Sequence, residues 1–146
     1  MRVFVTGGSG HIGSALIPEL QSAGHQVIAL ARSDAAAQKL EAVGADVRHG
    51  DLDDLDVIKK AAADSDGVIH LAYRRDLMHA GDAAGVIAAN LEVLEAAWEA
   101  FEGTGKPFVA PAPARWCSGR AASRTVRARK TTSSRAVRWP ARRTLP

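Results

Sequence analysis

The chain has 146 residues, 47% of them apolar, with 19 Lys and Arg against 16 Asp and Glu, a formal charge of +3. That length gives one domain with a workable core and hardly two, and no run approaches the roughly 20 apolar residues of a membrane span. The sequence opens directly on a strand with no charged leader, so a cytoplasmic address is expected, and the single cysteine, Cys117, excludes an internal disulfide and a thiolate zinc cluster.

The apolar run Val3-Phe4-Val5 makes Arg2 to Val5 a first strand, and it passes straight into Thr6-Gly7-Gly8-Ser9-Gly10-His11-Ile12-Gly13. The spacing of Gly7, Gly10 and Gly13 fits GxxGxxG between a strand and a helix. The early glycines permit a tight turn and close approach of a pyrophosphate, and the last lets the helix pack on the strand. Free amides at the helix start and the helix dipole favour an anion there. The plain alternative is a flexible turn between two ordinary elements.

The following helix is expected over His11 to Ala23, with Ile12, Ala15, Leu16 and Leu20 on its apolar face, a kink at Pro18 and Gly24 as C-cap. Gln26 to Ala31 is a continuous apolar run, as in a strand covered on both faces. Asp34 is the expected N-cap of a helix over Ala35 to Val43, closed by Gly44. Asp46 to His49 is a short third strand. Leu55 to Ala63 is a third helix, with Leu55, Ile58 and Ala62 facing inward. Gly67 to Ala72 is a fourth strand, Ala83 to Phe101 a long helix, and Lys106 to Ala110 the start of a fifth strand. The apolar face expected of the long helix is Val86, Ile87, Leu91, Leu94, Ala97, Trp98 and Phe101. Strand and helix thus alternate over four units, which implies an α/β Rossmann-like, doubly wound parallel sheet of order 3-2-1-4-5. Ligand binding is expected at the carboxyl ends of its strands.

Several residues fall at those strand ends. Arg32 closes the second strand, where a dinucleotide fold meets the adenosine ribose. An acid there selects NAD, whereas Arg32, with Ser33 as a second donor, suits the 2′-phosphate of NADP. NADP is therefore the favoured cofactor, with NAD the alternative, and a solvated loop arginine is the plain reading. Asp51 and Leu52 end the third strand, where Asp51 suits an adenine amine and Leu52 the ring; an Asp cap before the third helix is the plain account. Leu71, Ala72 and Tyr73 end the fourth strand beside the expected pyrophosphate. The histidines His11, His25, His49, His70 and His79 show neither HxH nor HExxH spacing, so they read as surface or strand-end residues and no metal site is expected.

With these motifs in order (MRVFVTGGSGHIGSALIPEL, VIALARS, HGDLDD and GVIHLA), the first 109 residues resemble the N-terminal half of the short-chain dehydrogenase/reductase superfamily, in its extended or atypical NAD-dependent epimerase/dehydratase branch. The resemblance implies NAD(P) contacts from Gly7, Gly10, His11, Ile12, Arg32, Asp51, Leu52, Leu71 and Ala72. It also implies hydride transfer at a carbonyl or alcohol carbon of a sugar-nucleotide or similar small-molecule substrate. The family's catalytic YxxxK pair is missing: Tyr73 is the only tyrosine and Leu77 stands four positions on. The serine or threonine expected after the fifth strand is replaced by Ala110-Pro111-Ala112-Pro113, so no catalytic residue is assigned. A dinucleotide-binding protein with impaired catalysis is expected, or a non-catalytic binding module.

Beyond Val109 the composition changes. Residues 1–109 hold 9 Lys and Arg and 16 Asp and Glu, whereas residues 110–146 hold 10 Lys and Arg and no acid. With few aliphatics and no period of 2 or 3.6, residues 110–146 read as a low-order basic tail. A shifted reading frame near Ala110 accounts for the charge, the missing catalytic residues and the lost pattern together. Read from each third base, Arg115 to Ser118 permits Leu/Met/Val, Val and Leu/Phe, and Arg129 to Ser134 permits Glu-Asp-Asp before two aliphatics. The rival reading is a genuine polyanion-binding tail, with Trp116 and Trp139 available to stack on bases, although it contains no module for sequence-specific nucleic-acid recognition.

Overall fold

The computed structural model describes residues 1–110; the expectations for the basic tail lie outside the described residues. The elements run β1 (Arg2–Thr6), α1 (His11–Ser22), β2 (Gln26–Ala31), α2 (Asp34–Ala42), β3 (Asp46–His49), α3 (Leu55–Ala63), β4 (Gly67–His70), α4 (Arg75–His79), α5 (Ala83–Glu99) and β5 (Phe108–Val109). The strands form one parallel sheet in the order β3-β2-β1-β4-β5, as the alternation of elements predicts. Among the described residues no helix is long and apolar enough to cross a membrane.

Alternate residues of the central strands feed two separate cores, which is why these strands are apolar throughout. Phe4, Ile28 and Val68 point to the side covered by α3 and α5, where Ile58, Ala61, Ala62, Val93, Ala96, Ala97 and Phe101 complete the packing. Val3, Val5, Val27, Ala29 and Ala31 point to the opposite side, onto Ile17 of α1 and Ala37 and Leu40 of α2.

The structure corrects several local expectations. β1 extends through Thr6, whose hydroxyl has a buried partner on β4, whereas β4 stops at His70, leaving Leu71 and Ala72 in the loop beyond it. Ser33, not Asp34, caps α2: its Oγ accepts from the Ala36 N–H at 3.3 Å, and Asp34 takes a first-turn position favourable to the helix dipole. Helix α1 ends at Ser22, with Gly24 at φ +82° beyond the C-cap Ala23. The N–H groups of Gly24 and His25 donate back to the carbonyls of Gln21 and Leu20, closing the helix end. The helix continues through Pro18, which is exposed. The carbonyl deprived of its donor is that of Ser14, also an exposed residue.

Two apolar faces are rotated from expectation. In α1 the buried residues are Gly13 and Ile17, while Ala15 is exposed and Ile12 faces the cleft described below. α5 ends at Glu99 and carries two apolar stripes. The slender one is Val86, Val93, Ala96 and Ala97, and its Val93, Ala96 and Ala97 pack with Ile58, Ala61 and Ala62 of α3, where small side chains allow close approach. The bulky one (Ile87, Leu91, Trp98) stays exposed. In α3, Ala61 joins Ile58 and Ala62 in the core, and Leu55 is only half-buried. The five-residue α4 has no counterpart in the sequence reading, being shorter than two helical turns and without an apolar face to betray it.

Candidate functional site

The carboxyl ends of the strands open on a cleft of about 480 Å³, within the range of small-molecule and cofactor sites. It is lined by Gly7, Gly10, His11, Ile12, Gly13, Arg32, Ser33, Asp51, Leu52, Leu71 and Ala72, so the fold brings every candidate singled out from the sequence to one place.

The glycine turn forms one wall, and each glycine there has a distinct steric reason. Gly7 sits at φ +73°, and a Cβ on it would lie 2.6 Å from the Ala72 nitrogen and 2.7 Å from the Leu71 carbonyl carbon. Gly13 is packed so tightly that a Cβ would collide with the Gly7 carbonyl oxygen and stand 2.5 Å from Gly8 Cα. Gly10, the N-cap of α1, meets only the Gly7 oxygen at 3.2 Å, so its outer side is open to the cleft. No side chain caps α1 and no acid lies in its first turn, so the helix presents bare amides and the positive end of its dipole to the cleft. Gly8 was not singled out from sequence, yet its Cβ would stand 2.9 Å from Ile17 Cδ1.

Opposite this wall the charge is positive. Arg32 and Ser33 leave the end of β2, and Lys39 joins them from α2, one to two turns after the Ser33 cap. The sequence reading missed Lys39, although the helical spacing of Ala35, Ala36 and Lys39 places all three toward the cleft once the cap is known. Asp51 has part of its hydrogen-bonding capacity already used: its Oδ1 accepts from the Leu52 N–H at 2.7 Å, and its own N–H donates to Asp54 Oδ2 at 2.7 Å. Both the loop-building role and a free Oδ2 are thus present in one carboxylate. Leu52 is buried at 8% exposure, and Ile12, 61% exposed, supplies apolar surface at the cleft itself.

The loop after β4 adds Tyr73 and Arg74, and the first residue of α4 adds Arg75, also unanticipated apart from the tyrosine's position. Arg74 Nη1 donates to Asp53 Oδ1 at 2.6 Å, and Arg74 Nε and Nη2 engage the Asp76 carboxylate at 2.8 to 3.2 Å. The loops after β3 and β4 are thereby tied together at the cleft. The Arg74 hydrogen bonds hold the Asp76 carboxyl down at about 2. Beneath the floor, His70 Nδ1 lies 2.6 Å from Thr6 Oγ1 and its Nε2 lies 2.8 Å from Asn90 Oδ1. Burial lowers the pKa of this imidazole below the usual 6.5, with the Asn90 hydrogen bond opposing in part. Although the described residues up to Val109 hold more acids than bases, four bases and a single acid border the cleft. This field suits a polyphosphate anion.

Comparison with known proteins agrees with this architecture. An uncharacterised protein of Saccharomyces cerevisiae is 43% identical over 111 residues, covering 75% of this chain and 36% of the relative. The chain therefore spans about a third of the length of that curated relative. A 4-hydroxy-2-methyl-3-oxo-4-farnesyl-3,4-dihydroquinoline-1-oxide ketoreductase of Stigmatella aurantiaca is 44% identical over 72 residues, 49% of this chain and 22% of the relative. Among solved structures, a UDP-glucose-4-epimerase from Stenotrophomonas maltophila with bound NAD superposes with a TM-score of 0.63 at 23% identity, covering 79% of this chain and 38% of that one. At that identity the likeness concerns the fold. Residues 3–109 match the model of the NAD dependent epimerase/dehydratase family, and the chain belongs to that family.

Proposed function

We propose that the chain binds a nicotinamide dinucleotide in this cleft, NADP(H) in preference to NAD(H). The observation that carries the reading is the glycine turn: bare α1 amides beside the open side of Gly10 face Arg32, Ser33 and Lys39 across one cavity. In this reading the α1 amides hold the pyrophosphate and the positive dipole end neutralises it. Arg32 offers a planar fork to the ribose 2′-phosphate, with the Ser33 hydroxyl and the Lys39 ammonium as further donors. The Ser33 Oγ accepts from Ala36 as helix cap and keeps its own proton to donate. Leu52 and Ile12 sandwich apolar ring surface, Asp51 Oδ2 accepts from an adenine amine, and the Leu71–Ala72 backbone lies beneath the pyrophosphate.

The bound group would supply hydride chemistry at a carbonyl or alcohol carbon, the chemistry implied by the family. In these 146 residues the usual tyrosine and lysine proton-transfer pair is missing, since Leu77 follows four places after the only tyrosine, Tyr73. We therefore propose cofactor binding as the role of these residues and assign no catalytic residue among them.

Titration of the full chain with NADPH and with NADH, followed by nicotinamide fluorescence, tests the reading. NADPH is expected to bind more tightly, and Arg32→Glu to weaken NADPH about tenfold while sparing or improving NADH, the loss of one charge-assisted bidentate contact. A folded chain that binds neither dinucleotide at millimolar concentration overturns the proposal.

A further inference from the structure

The side chains of Thr6, His70 and Asn90 form an unbroken hydrogen-bonded chain beneath the cleft. Thr6 and His70 are register partners on β1 and β4, buried at 1% and 3% exposure, with Oγ1 2.6 Å from Nδ1. On the far side of the ring, Nε2 is 2.8 Å from Oδ1 of Asn90 in α5. A carbonyl oxygen only accepts, so Nε2 carries the proton and Nδ1 holds a lone pair, which the Thr6 hydroxyl fills by donating. With its proton committed, the hydroxyl oxygen accepts from the Ala72 N–H at 3.3 Å, while the Leu71 N–H donates to the Thr6 carbonyl at 3.0 Å. Leu71 and Ala72 supply the backbone that stands in contact with Gly7.

We propose that His70 is a positioning residue for the dinucleotide cleft. Through the Thr6 hydroxyl it holds the Leu71–Ala72 backbone against the Gly7 turn, and through Asn90 it ties that floor to α5. The inference rests on the dinucleotide reading for its purpose. Its geometry stands apart from that reading. A histidine kept only for its bulk has no need of both nitrogens; here each is used, by partners on two different elements.

Asparagine and glutamine at position 70 separate the two links, since an asparagine amide falls near the Nδ1 position and a glutamine amide near Nε2. In the full chain, His70→Gln and Thr6→Val are expected to weaken NADPH binding about fivefold, the worth of one buried hydrogen bond. Both are also expected to speed hydrogen exchange at the Ala72 amide. His70→Asn and Thr6→Ser keep the clamp and fall closer to the native chain in both measurements. Urea unfolding of each variant corrects for the folded fraction. Equal losses in His70→Asn and His70→Gln, or exchange at Ala72 no faster in Thr6→Val than in Thr6→Ser, overturn the inference. Should the folded native chain bind neither NADPH nor NADH, the dinucleotide reading fails, and the Ala72 exchange rates, which need no ligand, still decide whether the clamp exists.

Discussion

The sheet divides at β1 into two unequal flanks. On one side β1, α1, β2, α2 and β3 follow one another with positive-φ glycines at the exits of both helices, Gly24 and Gly44. On the other side β5 has two residues, and α5, capped by Asp82, leaves Ile87, Leu91 and Trp98 exposed. Nearly every candidate ligand contact comes from the first flank and the start of the loop after β3; from β4 the cleft takes the loop that follows it. The difference teaches that the cleft is assembled by about half of the fold, and that the second flank reaches it through a few contacts, chiefly His70 and the Arg74 bridges.

The largest test of this contrast lies in the first flank. Gly13→Ala forces a Cβ into the backbone of Gly7 and Gly8, and about 3 kcal/mol of stability should be lost in urea unfolding. Gly24→Ala meets open space and suffers only the strain of φ +82°, about 1 to 2 kcal/mol. Equal costs would show that the turn lacks the tight packing described. In the second flank, Val93→Ala empties a site that is 1% exposed and should cost about 2 kcal/mol. Leu91→Ala, at 50% exposure, should stay within about 0.5 kcal/mol by the same measurement. A large Leu91 effect would mean that the bulky stripe is covered in solution.

The smallest effect probes the link between the flanks. Because burial lowers the folded pKa of His70 below 6.5, the unfolded chain takes up its proton first as the solution is acidified. Stability from this group is complete above pH 6.5 and is lost as the pH falls from there through the folded pKa. Thermal midpoints measured across that window should decline in the native chain and decline less in His70→Asn. Parallel slopes would remove His70 as the titrating group.

Much of this was legible in the sequence, and the reasons are local. The strand order follows from alternation alone, and β2, β3 and α3 fall within the bounds their apolar runs and glycines indicate. The cleft was legible because GxxGxxG, Arg32 and Asp51 each sit at a strand end, and parallel strands bring their carboxyl ends to one rim. What escaped depends on three-dimensional context. An alanine-rich helix such as α5 offers two apolar stripes to a periodicity reading, and only the fit against α3 selects the slender one. Ser33 and Asp34 both make good caps, and one residue of helix start decides between them. Arg74 is one of several arginines until the loop geometry sets it between Asp53 and Asp76. Asn90 gains meaning only from a histidine 20 positions away.

The two rims of the sheet also differ in how they would receive a stray strand. β3 carries Asp46, Arg48 and His49 exposed, with Arg48 paired to Asp64, and charge of this kind discourages edge-to-edge association. β5 offers Phe108 and Val109, the latter 53% exposed, with no charged side chain in the strand. Among the described residues, β5 is therefore the edge more open to pairing with another strand. Val109→Lys would place a charge on that edge, at a residue that does not line the cleft.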